Sequence, residues 1–217
     1  MWGGVIKPQI ESYMKTLSEL KEWENKPVKP YVIRFTERNA MTTEEALNQV
    51  GNLLLAAIDT TAQALLGLTY HLSVSPEYQE KLYKEVSSVT KGGPLLEEHM
   101  KSIPYLRACL KENYRLMPGG ASNGRVLDKE ITLKGHVISP GTLIELSGIP
   151  YCYDEAIFPK ASYYIPDRWI GEKSDSIANH PYLILPFSIG GRICLGSRVA
   201  ESELMAFAAA LVQKYKV

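Results

Sequence analysis

Apolar and polar residues alternate at helical spacing along most of the first half of the chain. A first helix is predicted over 5–23, and the prolines within 26–30 end it. At Thr42 a threonine is followed three residues later by Glu45, which predicts a helix start because each side chain can bond the other's backbone amide. No breaker follows until Pro76, so the pattern predicts one helix of roughly 30 residues.

Prolines and glycines divide the next segment into shorter helices. Pro76 begins a predicted helix that runs to about Val89, and a short helix is predicted over 95–102. Pro104 begins another helix, which ends before Pro118 because proline restricts the residue that precedes it.

Beyond Pro118 the pattern changes to short segments rich in β-branched residues and separated by turns. Four strands are predicted, over Arg125 to Leu127, Glu130 to Leu133, His136 to Ile138 and Thr142 to Leu146. A coil rich in proline and aromatic residues follows over 151–185, and an amphipathic helix over 194–215 closes the chain. The predicted fold class is an α-dominated α+β fold with no recognisable domain boundary.

Composition changes this picture little. Hydrophobic residues make up 45% of the chain, and 24 acidic residues balance 24 basic ones, so no net field attracts nucleic acid and no nucleic-acid partner is expected. Three scattered cysteines are too few for a disulfide framework. The most apolar run, Leu53 to Leu68, is interrupted by Asp59 and Gln63, so no transmembrane span is predicted.

The strongest chemical signal is the segment from Phe187 to Gly196, which fits F-x-x-G-x-R-x-C-x-G at every fixed position. Such a match recurs by chance in a chain of this length on the order of once in 10,000. Gly190 and Gly196 permit a close backbone approach around the lone thiol of Cys194, and Arg192 can offer a guanidinium to an anionic group. The alternative is a buried structural cysteine in a glycine-rich turn.

This segment resembles the cysteine-ligand loop of the cytochrome P450 family, and three further matches follow the family's order along nearly the whole chain. The resemblance implies that Cys194 ligates the iron of haem b, where a thiolate pushes electron density toward dioxygen and favours O–O cleavage. It also implies that Arg192 and Arg125 bind the haem propionates. The further haem contacts that it implies are Phe187, Gly190, Gly196 and Ala56.

Two of the further matches form a charge network in the family. Glu112 and Arg115 match its ExxR helix, and their i,i+3 spacing allows a salt bridge on one helical face. Arg168 lies in a Pro-Asp-Arg-Trp element that resembles the family's second arginine motif. The resemblance implies that these three residues hold the coil over 151–185 against the helix that carries Glu112 and lies behind the cysteine loop. The alternative is an ordinary surface ion pair.

The third match lies inside the long helix, where 56–61 resembles the oxygen-binding A/G-G-x-D-T-T segment of the family. The resemblance implies that Thr60 bonds the oxygen bound at the iron while Asp59 brings protons from solvent. A carboxylate on an apolar helix is otherwise an expensive placement. Ala57 stands where glycine is usual, and the alternative is a polar stripe on the helix.

A basic pair, Arg107 and Lys111, lies at i,i+4 on the helix that carries Glu112. Mitochondrial members of the family carry a basic pair at this spacing, which docks an acidic ferredoxin. Arg198 would extend the patch, although Ser197 stands where those members often carry another base. The alternative is a solvated basic helix face.

The resemblance covers the C-terminal half of the family's fold, from the long oxygen-binding helix through the cysteine-ligand loop to the final helix. The chain is therefore expected to be a single partial haem-binding domain over 1–217, without the N-terminal half and the C-terminal β-hairpin of the family. The closing helix resembles the mitochondrial-type clan.

The implied activity is that of a monooxygenase, which inserts one oxygen atom of O2 into a lipophilic, sterol-like substrate with electrons from a ferredoxin or, alternatively, a flavoprotein reductase. The implied location is peripheral, on the matrix side of the mitochondrial inner membrane, with the endoplasmic reticulum membrane as the alternative. Two rival functions stay open. One is a haem-thiolate isomerase or dehydratase, which has no use for a proton relay at Asp59 and Thr60. The other is a non-catalytic truncated product.

Overall fold

The computed structural model describes residues 42–119, 123–171 and 180–217, together with Pro8, Ser12 and Lys15. The helix predicted over 5–23 lies outside the described residues except at those three positions, each of which is helical. The chain forms two compact units, Met1–Asp59 and Thr60–Val217.

The predicted long helix is confirmed as α1, which spans Thr43–Ser73 and contains 31 residues. It begins with the predicted capping box: the Thr42 amide donates to Glu45 Oε2 at 2.8 Å, and the Glu45 amide donates to Thr42 Oγ1 at 3.3 Å. It ends shortly before Pro76, because Ser75 adopts a non-helical conformation ahead of the proline.

The apolar surface of α1 is only partly covered. Leu68 and Leu72 are fully buried, whereas Ile58 and Leu66 are 62% and 71% exposed. The stretch Asn48–Ser73 is long and apolar enough to cross a membrane by length and composition alone, criteria that a core helix of a soluble protein also meets. The sequence predicts no transmembrane span, because Asp59 and Gln63 interrupt the apolar run. By length and composition alone the helix passes the test for a span, so that prediction is not confirmed.

Two further helices follow as the proline pattern predicted. Helix α2 spans Pro76–Thr90 and α3 spans Pro104–Leu116. The short helix between them is a 3-10 helix, Glu97–Ser102, two residues shorter than predicted. Glu85 of α2 caps α3 from outside: its Oε1 and Oε2 accept the amides of Tyr105 at 2.7 Å and Leu106 at 2.9 Å.

All four predicted strands are present, and they form two antiparallel pairs. Strand β1 (Asn123–Val126) pairs with β4 (Leu143–Leu146), and β2 (Ile131–Leu133) pairs with β3 (His136–Ile138). Lys134 and Gly135, which join β2 to β3, both have positive φ angles, as a tight two-residue hairpin turn requires.

The remainder of the chain is a long coil that contains short helical segments and ends in a full helix. A single turn, α4, spans Ile149–Cys152; 3-10 turns span Pro166–Trp169 and Gly190–Arg192, and α5 spans Ser197–Lys214. The final helix therefore starts three residues later than predicted. The bond from the Cys194 amide to the Phe187 carbonyl holds Cys194 in the preceding loop, and the first helical bond runs from the Ala200 amide to the Gly196 carbonyl at 2.9 Å.

The hydrophobic core of the second unit lies between the end of α1 and helices α2, α3 and α5. Burial of this apolar surface is the main force that holds the helices together. Its helical members are Leu68, Leu72, Leu82, Val86, Leu106, Cys109, Leu110, Tyr114, Leu116, Leu204, Met205, Ala208, Ala209 and Val212. The core thus fixes α3 against α5, the two helices that flank the cysteine loop.

Candidate functional site

The cysteine loop is closed by backbone hydrogen bonds. The Cys194 amide donates to the Phe187 carbonyl at 2.9 Å, and the Ile193 amide donates to the Gly190 carbonyl at 3.1 Å. Gly190 and Ser188 both have positive φ angles, 73° and 60°, so the chain twice takes a left-handed conformation to make the turn. Glycine adopts this conformation freely, which explains the residue type at 190.

The thiol of Cys194 is free and exposed. The other two cysteines are free and buried, and burial raises the pKa of the Cys109 thiol to about 12 and also raises that of Cys152. A Cβ added at Gly196 would lie 3.9 Å from the Cys194 sulfur, so the loop backbone passes close beside the thiol. Because the Cys194 thiol is exposed, it is not the buried structural cysteine of the alternative interpretation.

The predicted propionate arginines are both exposed. Arg192 makes no hydrogen bond or ion pair with another described residue. Among the described residues, Arg125 on β1 donates to the neighbouring Gly124 carbonyl at 2.7 Å and to no other group. Their guanidinium groups keep donors for an anionic ligand. The described contacts do not join Arg125 to the cysteine loop.

The structure brings Glu112, Arg115 and Arg168 together in one network. Arg115 binds Glu112 through two parallel bonds, Nε to Oε2 at 3.0 Å and Nη2 to Oε1 at 2.8 Å. Arg168 Nε donates to Oε1 at 3.0 Å. Glu112 and Arg115 are fully buried, so the surface-pair alternative is wrong.

The network has members that sequence reasoning missed. Trp169 Nε1 donates to Glu112 Oε2 at 2.9 Å, and the Ile165 amide donates to Oε1 at 2.9 Å. Arg115 also donates to the carbonyls of Ala161 at 2.7 Å and Tyr163 at 3.0 Å. The coil is therefore held to α3 through backbone groups as well as side chains, and the tryptophan next to Arg168 was the one available signal.

One aromatic pair joins this network to the cysteine loop. Tyr114, between Glu112 and Arg115 in sequence, packs edge-on against Phe187 with ring centroids 5.6 Å apart. Burial raises the pKa of Tyr114, whose hydroxyl has no hydrogen-bond partner among the described residues. Phe187 thus contacts α3 through its ring and Cys194 through its carbonyl.

A mainly apolar cavity of about 750 Å³ reaches the cysteine loop at Ile189. Its walls come from the end of α3, from β4 and from the coil on both sides of 172–179, and they include Leu146, Ile149, Leu183 and Leu185. A volume of this size suits a small-molecule ligand. The exposed thiol of Cys194 and the exposed guanidinium of Arg192, two residues apart in one loop, suit haem, which needs a ligand for its iron and cations for its propionates.

The predicted oxygen-binding residues lie on α1. Ala56, Asp59 and Thr60 are exposed and lie within little more than one turn of this helix. Asp59 is the last residue of the first compact unit, and Thr60 is the first residue of the second.

The predicted docking cations are held by different partners. Arg107 is exposed and donates through Nε and Nη2 to the Met100 carbonyl, at 3.2 and 2.9 Å. Lys111 is half-buried, and its Nζ lies 4.0 Å from the centroid of the Trp169 ring. Arg198 is exposed on α5.

The cytochrome P450 family model matches residues 4–217. Similar curated proteins include a probable cytochrome P450 12a5, mitochondrial, of Drosophila melanogaster, which is 34% identical over 76% of this chain and 33% of its own length. Mus musculus sterol 26-hydroxylase, mitochondrial, is 36% identical over 82% of this chain and 34% of its length. Mus musculus 1,25-dihydroxyvitamin D(3) 24-hydroxylase, mitochondrial, is 33% identical over 98% of this chain and 40% of its length.

The chain therefore spans between a third and two fifths of the length of these relatives. The family match covers nearly every residue of the chain, and the helix-dominated fold with two small sheets agrees with part of the family's fold. The chain belongs to the cytochrome P450 family.

Proposed function

We propose that this chain is the haem-binding part of a monooxygenase. The reaction consumes one dioxygen, two electrons and two protons, and yields one hydroxylated substrate and one water. The observation that carries the proposal is the free, exposed thiol of Cys194 in a closed loop that also holds the exposed Arg192. Haem b, when bound, supplies the iron at which dioxygen is reduced.

The residues of the loop have distinct roles in this proposal. Cys194 ligates the iron as thiolate, and the first amides of α5 stabilise its negative charge because they lie at a helix N-terminus. Arg192 and Arg125 bind the propionates, and the remaining haem contacts come from Phe187, Gly190, Gly196 and Ala56.

We assign proton delivery to α1. The Asp59 carboxylate exchanges protons with solvent, and the Thr60 hydroxyl passes them to the site of dioxygen reduction. The exposed position of Asp59 supports the first of these roles.

The relatives' names support proposals for the substrate class and the location, and the basic pair on α3 supports one for the electron donor. Two of the relatives are named as mitochondrial hydroxylases of a sterol and of a vitamin D derivative. We propose a sterol-like lipophilic substrate, an acidic ferredoxin that docks at Arg107, Lys111 and Arg198, and a peripheral position on the matrix side of the mitochondrial inner membrane. A flavoprotein reductase and the endoplasmic reticulum membrane are the alternatives.

We further propose that residues 1–217 form one partial domain of a longer polypeptide, here called the parent protein. The tests below use the parent protein, because the relatives extend well beyond the region that this chain matches.

The ligand assignment is tested with Cys194→Ala. The reduced parent protein should form the long-wavelength carbon-monoxide band that only a thiolate-ligated haem gives, and Cys194→Ala should abolish it. The matched controls are Cys109→Ala and Cys152→Ala, which remove buried thiols and should retain the band. A band that survives in Cys194→Ala contradicts the assignment.

Thr60→Ala separates a monooxygenase from an isomerase or dehydratase. Without the hydroxyl, protons are delivered poorly, so electrons should be consumed and hydrogen peroxide released with little hydroxylated product. The measurement is the ratio of product to electrons consumed. An unchanged ratio would remove the proton-delivery role of Thr60.

A further inference from the structure

The indole of Trp169 contacts two neighbouring residues of α3 whose side chains lie in different environments. Its Nε1–H donates to Glu112 Oε2 at 2.9 Å, and its ring lies under the Lys111 ammonium at 4.0 Å. Glu112 is fully buried, whereas Lys111 lies at a smaller cavity of about 260 Å³ between α3 and α5. One side chain therefore joins the buried charge network to the surface.

The ammonium of Lys111 is held by this ring and not by a carboxylate. Among the described residues, no carboxylate lies within ion-pair distance of it. Burial lowers the pKa of Lys111, because the ammonium has lost part of its hydration. A cation over an aromatic face is attracted by the ring without using its N–H groups. Those groups stay available to an incoming acceptor.

Arg107, one turn earlier in α3, is fixed by a neutral partner, the Met100 carbonyl. Glu201 lines the same cavity and makes no ion pair with a described residue. The two cations are therefore ordered but not neutralised. Ordering before binding reduces the entropy lost when an anionic partner docks.

We propose that Trp169 is a positioning residue for the electron donor. The ring face holds the Lys111 ammonium in the geometry that meets the donor's carboxylates, and the bond to Glu112 fixes the orientation of the ring. The proposal rests on the docking function proposed above for Arg107 and Lys111. Without the ring, Lys111 is a flexible cation, and more donor is needed for the same turnover.

The test compares two variants of the haem-loaded parent protein with a ferredoxin as donor. Trp169→Leu should raise the apparent KM for the donor about three- to tenfold, because the cation loses its support. Its kcat per haem should stay within about twofold. Trp169→Phe keeps a weaker ring face and should raise KM only about twofold, but it loses the bond to Glu112 and should release haem at a lower temperature. The matched control is Lys214→Gln, which removes an exposed cation elsewhere and should leave KM unchanged.

A double-mutant cycle with Lys111→Gln decides whether Trp169 acts through Lys111. Trp169→Leu combined with Lys111→Gln should bind the donor no more weakly than Lys111→Gln alone, because both changes remove the same held cation. If the two substitutions raise the apparent KM independently, so that their fold-changes multiply in the double variant, the proposal is overturned. A wild-type KM in Trp169→Leu also overturns it.

Two further outcomes separate this proposal from the one on which it rests. A wild-type KM in Lys111→Gln overturns the docking function and the role of Trp169 together. A raised KM in Lys111→Gln with none in Trp169→Leu overturns the role of Trp169 alone. Should Trp169→Leu fail to retain haem, the cycle is run with Trp169→Phe, whose rise in KM should vanish in the Lys111→Gln background; an equal rise in both backgrounds overturns the proposal.

Discussion

The carboxylate of Glu112 accepts hydrogen bonds from two arginines, one indole and one backbone amide. A charge that leaves water loses its hydration, and only charge-assisted bonds of good geometry offset that loss. Glu112 has such bonds on both oxygens, and its partners Arg168 and Trp169 belong to the coil rather than to α3. Glu112 therefore joins three coil residues to α3, beside the bonds that Arg115 makes to coil carbonyls.

Glu112→Ala should prevent stable haem incorporation in the parent protein. The change leaves the buried guanidinium of Arg115 without its main partner, at a cost of ~3–5 kcal/mol. Haem content per polypeptide measures the effect. Glu112→Gln keeps one acceptor oxygen and should be intermediate, and Glu203→Ala, on the exposed side of α5, should match wild type. Normal haem content in Glu112→Ala would show that the network is dispensable.

A second prediction concerns two glycines of α1. A Cβ at Gly67 would lie 2.7 Å from the Met117 sulfur and 2.8 Å from Asn113 Oδ1, whereas a Cβ at Gly51 would meet nothing within 4 Å. Asn113 cannot swing away freely, because its amide donates to the Ala64 carbonyl. Gly67→Ala should therefore destabilise the protein by about 1–3 kcal/mol.

Gly51→Ala is the matched control for this change. It should stabilise the protein by about 0.5–1 kcal/mol, because alanine loses less conformational entropy in a helix than glycine does. Midpoints of thermal unfolding followed by circular dichroism measure both variants. Equal shifts for the two would show that α1 and α3 do not approach closely at Gly67.

At the residue scale, the sequence predicted contacts between residues that are close together in a motif. It missed contacts between residues that are far apart in the sequence and meet only in the folded chain. Glu112 and Arg115 are three residues apart in one helix, so their contact follows from helical geometry. Ile165 lies about fifty residues away and donates through its backbone, which no residue type reveals. The Lys111 contact with Trp169 was missed for the same reason, since either residue alone reads as a surface side chain.

At the scale of elements, proline positions and the capping box gave the helix limits correctly. These signals act locally, because a proline constrains its own φ angle and the conformation of the residue before it. The start of α5 was predicted wrongly for a non-local reason: the bond from the Cys194 amide to the Phe187 carbonyl holds Cys194 in the loop, and the first helical bond is the one from the Ala200 amide to the Gly196 carbonyl. The start of a helix that follows such a loop therefore depends on hydrogen bonds inside the loop, which helical periodicity does not reveal.

The cap of α3 by Glu85 leads to a prediction at this scale. A glutamate accepts both amides, whereas Glu85→Gln turns an NH2 group toward one of them and leaves that donor unsatisfied. Burial already raises the pKa of Glu85, so the site is poorly hydrated and water does not easily replace the lost bond. The variant should be less stable by about 1–2 kcal/mol.

Glu80→Gln is its control, on the same helix. Glu80 pairs with Lys84 at 3.4 Å on the exposed surface, where removal of a charge costs only about 0.3–0.5 kcal/mol. Thermal midpoints again provide the measurement. If Glu85→Gln has the same thermal midpoint as Glu80→Gln, the cap that Glu85 provides at the start of α3 does not contribute to stability.

At the scale of the whole molecule, charges balance, with 24 of each sign. Attraction of an anionic donor must therefore come from a local patch and not from net charge. Arg107→Gln combined with Lys111→Gln should raise the apparent KM for a ferredoxin. Wild-type turnover should also fall steeply with salt, because exposed charges are screened over ~10 Å at 0.1 M.

The double variant should respond to salt more weakly than wild type, and this difference in slope is the measurement. Lys214→Gln should retain the wild-type slope. A double variant with wild-type KM, or one that prefers a flavoprotein reductase, would remove the argument for a mitochondrial donor.

The partly uncovered surface of α1 has a consequence for the lifetime of the chain inside a cell. Ile58 and Leu66 present large apolar side chains to water, and such exposed surface is what chaperones and proteases recognise in unfinished proteins. A polypeptide of 217 residues made alone would therefore be held by chaperones or degraded, and faster degradation would lower its steady-state abundance.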